Sequence, residues 1–145
     1  RRFLWNQRDI EILRSGKVDA VLPYPVITVK GKYAIHYQPY VDERAYHVML
    51  SVLKENYPDY YRTAMEVMRG DSFYPCNIVA AKREIFAEYA GWLFEILEKV
   101  ESICGDETVR ADRYLGYLAE HLTTFYFVRN RKYMNIAHSR MEIFT

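Results

Sequence analysis

The stretch from Tyr74 to Val100 restricts the possible folds of this chain more than any other. It opens with a short apolar run, Asn77-Ile-Val-Ala-Ala81, too short for a helix and bounded upstream by Pro75. After Ala81 the period turns from strand-like to helical. Ile85, Tyr89, Trp92, Leu93, Ile96, Leu97 and Val100 recur mostly at three- and four-residue steps, which gives a helix one apolar face. A buried strand entering an amphipathic helix is the building unit of an α/β sheet. The polar residue heading that strand, Asn77, needs a reason. Its amide donates and accepts, and ligands gather at strand ends in such sheets; it could equally satisfy turn backbone after Pro75.

The 145 residues suit a single domain, 1–145, large enough to bury a core. Hydrophobic residues make up 50% and charged residues 27%, a soluble globular balance rather than a disordered one. A net charge of +1 gives no global electrostatic case for nucleic acid or an anionic membrane. No apolar run approaches the roughly 18 residues of a membrane helix. Cys76 and Cys104 lie far apart without metal-type spacing, which fits a reducing, cytoplasmic compartment. Aromatic residues reach 16%, with 14 tyrosines, and such side chains serve sugar rings, protein interfaces and cores alike.

In chain order, residues 7–16 form a short helix with Ile10 and Leu13 inward and Gly16 as its stop. Val18–Leu22 reads as a buried strand closed by Pro23 and Pro25, and the Pro23-Tyr24-Pro25 turn is an irregular loop of the kind that carries function. Val26–Val29 and Tyr33–Ile35 are short extended pieces. From Asp42 an apolar stripe of Val48, Met49, Val52 and Leu53 predicts a helix ended by Pro58, and a second helix runs from there to Gly70. A last long helix is expected from about Thr108 to Phe125, then a turn at Arg129-Asn-Arg-Lys132 and a strand at Tyr133–Ile136.

The sharpest local signal lies on that last helix. Arg113, Gly116 and Glu120 are three and four apart and share one stripe. A glycine inside a helix costs about 1 kcal/mol against alanine, so it has a packing or a ligand-approach reason. An Arg and a Glu flanking that gap could contact a phosphate and a hydroxyl; they could also be ordinary ion-pairing groups beside a close helix contact. Asp112 is a second carboxylate close by. His36 sits in the aromatic segment Tyr33–Tyr40, where it could contact a ligand. His36, His47, His121 and His138 have no zinc-type spacing, and no phosphate loop, nucleophile elbow or Asp-x-Asp pair exists, so no metal ligand is assigned.

With these residues laid out, the chain resembles a bacterial family catalogued as a domain of unknown function and described as capsular or exopolysaccharide glycosyltransferases. Asp19-Ala-Val-Leu-Pro-Tyr-Pro25 is similar to the family's strand and Pro-rich turn. Tyr57-Pro-Asp-Tyr-Tyr61, Tyr74 to Phe86, and Tyr89-x-x-Trp92-Leu-Phe94 are similar to its most characteristic block. Arg113-x-x-Gly116-x-Leu118-Ala119-Glu120 resembles its last signature helix. Arg1-Arg2-Phe3 looks like the tail of a further signature, which implies that the N-terminal portion of the domain lies outside this sequence.

The resemblance implies an α/β, GT-A-like nucleotide-diphosphosugar transferase fold. The implied activity moves a hexose from a nucleotide sugar to a glycan or lipid-linked acceptor, with magnesium or manganese as a possible helper. In that reading Glu120 is the catalytic base or a donor-sugar contact, with Asp112 second; Arg113 and Arg2 hold the diphosphate. Asn77, Tyr74, Gly116 and His36 meet the sugars; Trp92 would help Tyr74 to shape the acceptor side, although a core position suits it better. The tyrosine excess and the missing Asp-x-Asp leave an alternative, a non-catalytic carbohydrate- or protein-binding module.

Overall fold

The computed structural model describes residues 5–31, 43–105 and 113–140. The elements in chain order are α1 (Gln7–Arg14), β1 (Ala20–Pro23), β2 (Val26–Ile27), α2 (Glu43–Asn56), α3 (Pro58–Arg69), β3 (Ser72–Phe73), β4 (Ala80–Ala81), α4 (Arg83–Cys104), α5 (Tyr114–Asn130) and β5 (Ile136–Ser139). The architecture is mixed α/β, with a helical layer packed beside two small sheets.

The expected amphipathic helix is present as α4, which buries Tyr89, Trp92, Leu93, Ile96, Leu97 and Val100 but leaves Ile85 only partly covered. Pro58 opens α3 in its first turn and Gly70 caps it, as the sequence suggests. The most enclosed element is α5. Residues 121–127 of α5 are all buried, so no one-sided stripe exists there and the helix is enclosed on all faces. It begins at Tyr114 and runs to Asn130, five residues past the expected end, so Arg129 and Asn130 are helical rather than turn.

Tyr126, 2% exposed, joins the helices. Its ring lies 6.0 Å from Tyr60 of α3, and 5.2 Å from Tyr89 and 5.4 Å from Trp92 of α4. Much of the tyrosine excess is spent here. Tyr74, Tyr89, Tyr114 and Tyr126 are buried, and Tyr46, Tyr57, Tyr60 and Tyr61 pack against the core at its margin.

The main sheet has the order β4-β1-β5. β1 pairs antiparallel with β4, Ala20 opposite Ala81, and parallel with β5, Ala20 opposite Ile136 and Pro23 opposite Ser139. Three expectations are corrected. The run from Asn77 is strand only at Ala80–Ala81. The final strand is Ile136–Ser139, because residues 131–134 turn back on α5 and the Tyr133 amide donates to the Asn130 carbonyl at 2.8 Å. Ile10 is 43% exposed rather than inward, since α1 only borders β1. The expected strand at Tyr33–Ile35 lies outside the described residues.

Asp19 locks the amino-terminal edge of the sheet. Its Oδ1 accepts from Lys82 Nζ at 2.7 Å and its Oδ2 from the Asn135 amide at 2.7 Å, so one carboxylate ties β1 to both neighbours. Those hydrogen bonds, Lys82 first, hold its pKa below the ordinary value of 3.8. A folded-state pKa below the unfolded one contributes stability above the unfolded value, lost as pH falls through the folded value. Asp19→Ala is therefore expected to cost about 1–2 kcal/mol at pH 7, allowing for the partly solvated pair. The deficit should shrink below pH 3.8, which urea unfolding at pH 7 and pH 3 would measure.

Candidate functional site

β1 and β5 run parallel, so their carboxyl ends open on one edge of the sheet. β4 runs antiparallel to β1, and its amino end reaches the same edge; the loop before it carries Asn77 there. Pro23-Tyr24-Pro25, the 74–79 loop and His138-Ser139 thus meet at one place, the edge where open α/β sheets present ligands.

The 74–79 loop is shaped by one unusual residue. Cys76 has φ 61, a left-handed conformation that side chains rarely adopt, while Pro75 restricts the residue before it. Together they turn the chain out of the strand and onto α5. Tyr74 is anchored there by its backbone: its N–H donates to Thr124 Oγ1 at 3.1 Å, and the same hydroxyl lies 3.3 Å from its carbonyl. Cys76→Gly should be neutral or stabilising by up to about 1 kcal/mol, and Cys76→Val destabilising by about 1–2 kcal/mol, on urea unfolding. A reversed order would contradict strain at this turn.

Asn77 is exposed, yet its amide is oriented. Nδ2 donates to the Gly116 carbonyl at 3.0 Å. Thr123 Oγ1 lies 3.3 Å from Asn77 Oδ1 but 2.7 Å from the Ala119 carbonyl, and it meets the Tyr89 hydroxyl at 2.6 Å. One hydroxyl has one proton to give. The shorter bond takes it, which leaves Asn77 Oδ1 with a long contact and room to accept from a ligand hydroxyl. The amide both glues the loop to α5 and presents an acceptor.

The Asn77 bond brings Gly116 to this edge. A Cβ on Gly116 would meet nothing within 4 Å, so close helix packing is not the reason for a glycine there. Arg113, exposed, stands at the N-terminal boundary of α5, and Glu120, half-buried, follows one turn after Gly116 on the same stripe. The structure therefore joins Asn77 to Gly116, with Arg113 and Glu120 before and after Gly116 along the same segment, while Tyr74, 7% exposed, is buried beneath the loop. Arg2, His36 and Asp112 lie outside the described residues. Trp92 takes the core alternative: it is 8% exposed and packs at 4.5 Å on Tyr60, within the helical core.

Sequence reasoning missed His138. It lies on β5, with Nε2 3.1 Å from the Tyr74 hydroxyl, and its ring stacks on Tyr74 at 5.7 Å and on Tyr24 at 5.7 Å. Burial lowers its pKa, so the imidazole is neutral at pH 7, and burial raises that of Tyr74, which stays a phenol. The one sequence signal was the Pro-bracketed Tyr24, whose partner could not be read from local pattern.

Among the described residues no group of three or more His, Cys, Asp or Glu side chains is placed to hold a metal ion, so the divalent-metal expectation finds no ligand set there and no step is routed through one. Among them, too, no helix is long and apolar enough to cross a membrane.

Comparison with known proteins bears on this arrangement. Residues 2–131 match the family described as "Domain of unknown function (DUF4422)". The fold is similar to that of an apo structure of the WbbM bifunctional glycosyltransferase, with a TM-score of 0.69 and 20% identity over 86% of this chain. The chain spans 23% of the length of that protein. No curated protein matches the chain.

Proposed function

The chain belongs to the DUF4422 family, and from that premise we propose that it forms part of a glycosyltransferase acting from a nucleotide-sugar donor. The carrying observation is an amide, Asn77, fixed on α5 beside Gly116 at the carboxyl edge of β1, in a chain whose fold is similar to that of a bifunctional glycosyltransferase. In the proposed reaction an acceptor hydroxyl oxygen attacks the anomeric carbon of the donor sugar. The bond from that carbon to the diphosphate oxygen breaks, and the electron pair leaves with the diphosphate. Glu120 takes the hydroxyl proton, and Asp112 is the second candidate for that role. Arg113 and Arg2 stabilise the departing diphosphate through charge-assisted hydrogen bonds. Asn77 Oδ1 accepts from a sugar hydroxyl, the glycine at 116 gives the sugar room beside the helix, and His36 is a further sugar contact.

The finer reading is a GT-A fold serving capsule or exopolysaccharide assembly. The acceptor would be a glycan or a lipid-linked saccharide, and the enzyme would draw on the cytoplasmic donor pool at the inner face of the membrane. Release of nucleoside diphosphate from a panel of nucleotide sugars, with glycan acceptors present, tests the activity. Turnover of none of them by a well-folded form extended at the N-terminus would overturn it.

A further inference from the structure

We infer that Tyr24, backed by His138 and Tyr74, is a stacking platform for a neutral pyranose ring of the acceptor glycan. The inference rests on the transferase reading and names a subsite of that same edge. Three rings form a column: Tyr24 on His138 at 5.7 Å and 30°, and His138 on Tyr74 at 5.7 Å and 17°. The inner end is immobile, since Tyr74 is 7% exposed and bonded through its backbone to Thr124 and through its hydroxyl to His138. The outer end is open, with Tyr24 58% exposed. One face of its ring rests on the imidazole, and the rest of that exposure is available to a partner.

An exposed ring held in place differs from a loose one. Pro23 pairs within the sheet opposite Ser139, the Tyr24 amide donates to the Ser139 carbonyl at 3.1 Å, and Ser139 Oγ donates to Asp9 Oδ2 at 2.6 Å. Pro25 restricts Tyr24 from the other side. A ligand landing on this ring orders little that was not already ordered, which favours affinity.

The loop also selects the chemistry of its partner. Pro23 and Pro25 have no N–H, and the one amide between them is used on Ser139. Residues 23–25 therefore offer no backbone donor for a phosphate or for the carbonyl oxygens of a nucleobase. What they offer is a flat apolar face with one hydroxyl at its rim, which matches the C–H face of a pyranose and its fringe of hydroxyls.

The test uses the whole chain and ligand-observed NMR with methyl pyranosides, and with uridine in parallel, on wild type, Tyr24→Ala and Tyr24→Phe, each checked for fold by circular dichroism. Pyranoside affinity should fall about tenfold in Tyr24→Ala, stay near wild type in Tyr24→Phe, and uridine affinity should not change. Equal pyranoside binding by wild type and Tyr24→Ala, or none by wild type, overturns the platform. A fall in uridine rather than pyranoside affinity overturns it too, and assigns the ring to a nucleobase. Loss of pyranoside binding in Tyr24→Ala, together with a well-folded N-terminally extended form that turns over no nucleotide sugar, would keep the platform and sink the transferase reading. Transfer with an unchanged acceptor KM in Tyr24→Ala would do the reverse.

Discussion

Replacing Glu120 by glutamine in a form extended at the N-terminus is expected to slow sugar transfer by about 10²–10⁴-fold, the usual contribution of a positioned general base. Glutamine keeps the shape and the reach of the side chain but removes its charge and its basicity. Glu120 is half-buried, while Ala119 and His121 on either side are buried and hold this part of α5 in place. Melting temperature should therefore move little while nucleoside diphosphate release collapses. Donor affinity should be largely kept, because the base acts on the acceptor hydroxyl. Wild-type turnover in Glu120→Gln would remove Glu120 from the chemistry and move the role to Asp112.

The largest effect on stability is expected at Tyr126. Its ring also lies 5.1 Å from Phe127, in addition to its contacts with Tyr60, Tyr89 and Trp92, so it is where α3, α4 and α5 meet. Tyr126→Ala should cost about 3–5 kcal/mol, the range for removing a buried aromatic ring, because three helices cannot all close on the space left. Phe94 supplies the contrast. It stands on α4, 59% exposed, and Phe94→Ala should change stability by less than about 0.5 kcal/mol. Urea unfolding of the two variants under one condition measures the difference. Similar losses from both would mean that the aromatic cluster does not hold the helices together.

The helices were the legible part of this fold. Periodicity marked α4 from its buried residues, and Pro58 and Gly70 bounded α3, because both signals are local and read along one turn of chain. Of the expected stripe, Gly116 and Glu120 lie on α5, whereas Arg113, with φ −135, stands just before its first residue. What was not legible depends on partners far away in sequence. β5 is a strand because it lies beside β1, with His138 opposite Leu22, and nothing near Ile136 announces that pairing. Asn77 looked like the head of a strand because apolar residues follow it. The left-handed turn at Cys76 and the bond to Gly116 take it out of the ladder instead. The end of α5 was misread because the one-sided apolar pattern used to bound a helix disappears where every face is covered. The column Tyr24–His138–Tyr74 joins three segments that share no local pattern.

Calorimetric titration with nucleotide sugars, in the presence of magnesium or manganese, tests the central claim most directly. It should be run on this chain and on a form extended at the N-terminus. Saturable binding of one nucleotide sugar, displaced by its nucleoside diphosphate, is the expected result; binding by the extended form alone would place the donor pocket partly in the preceding residues. No binding by either form, with both well folded, would contradict a donor site at this edge of the sheet.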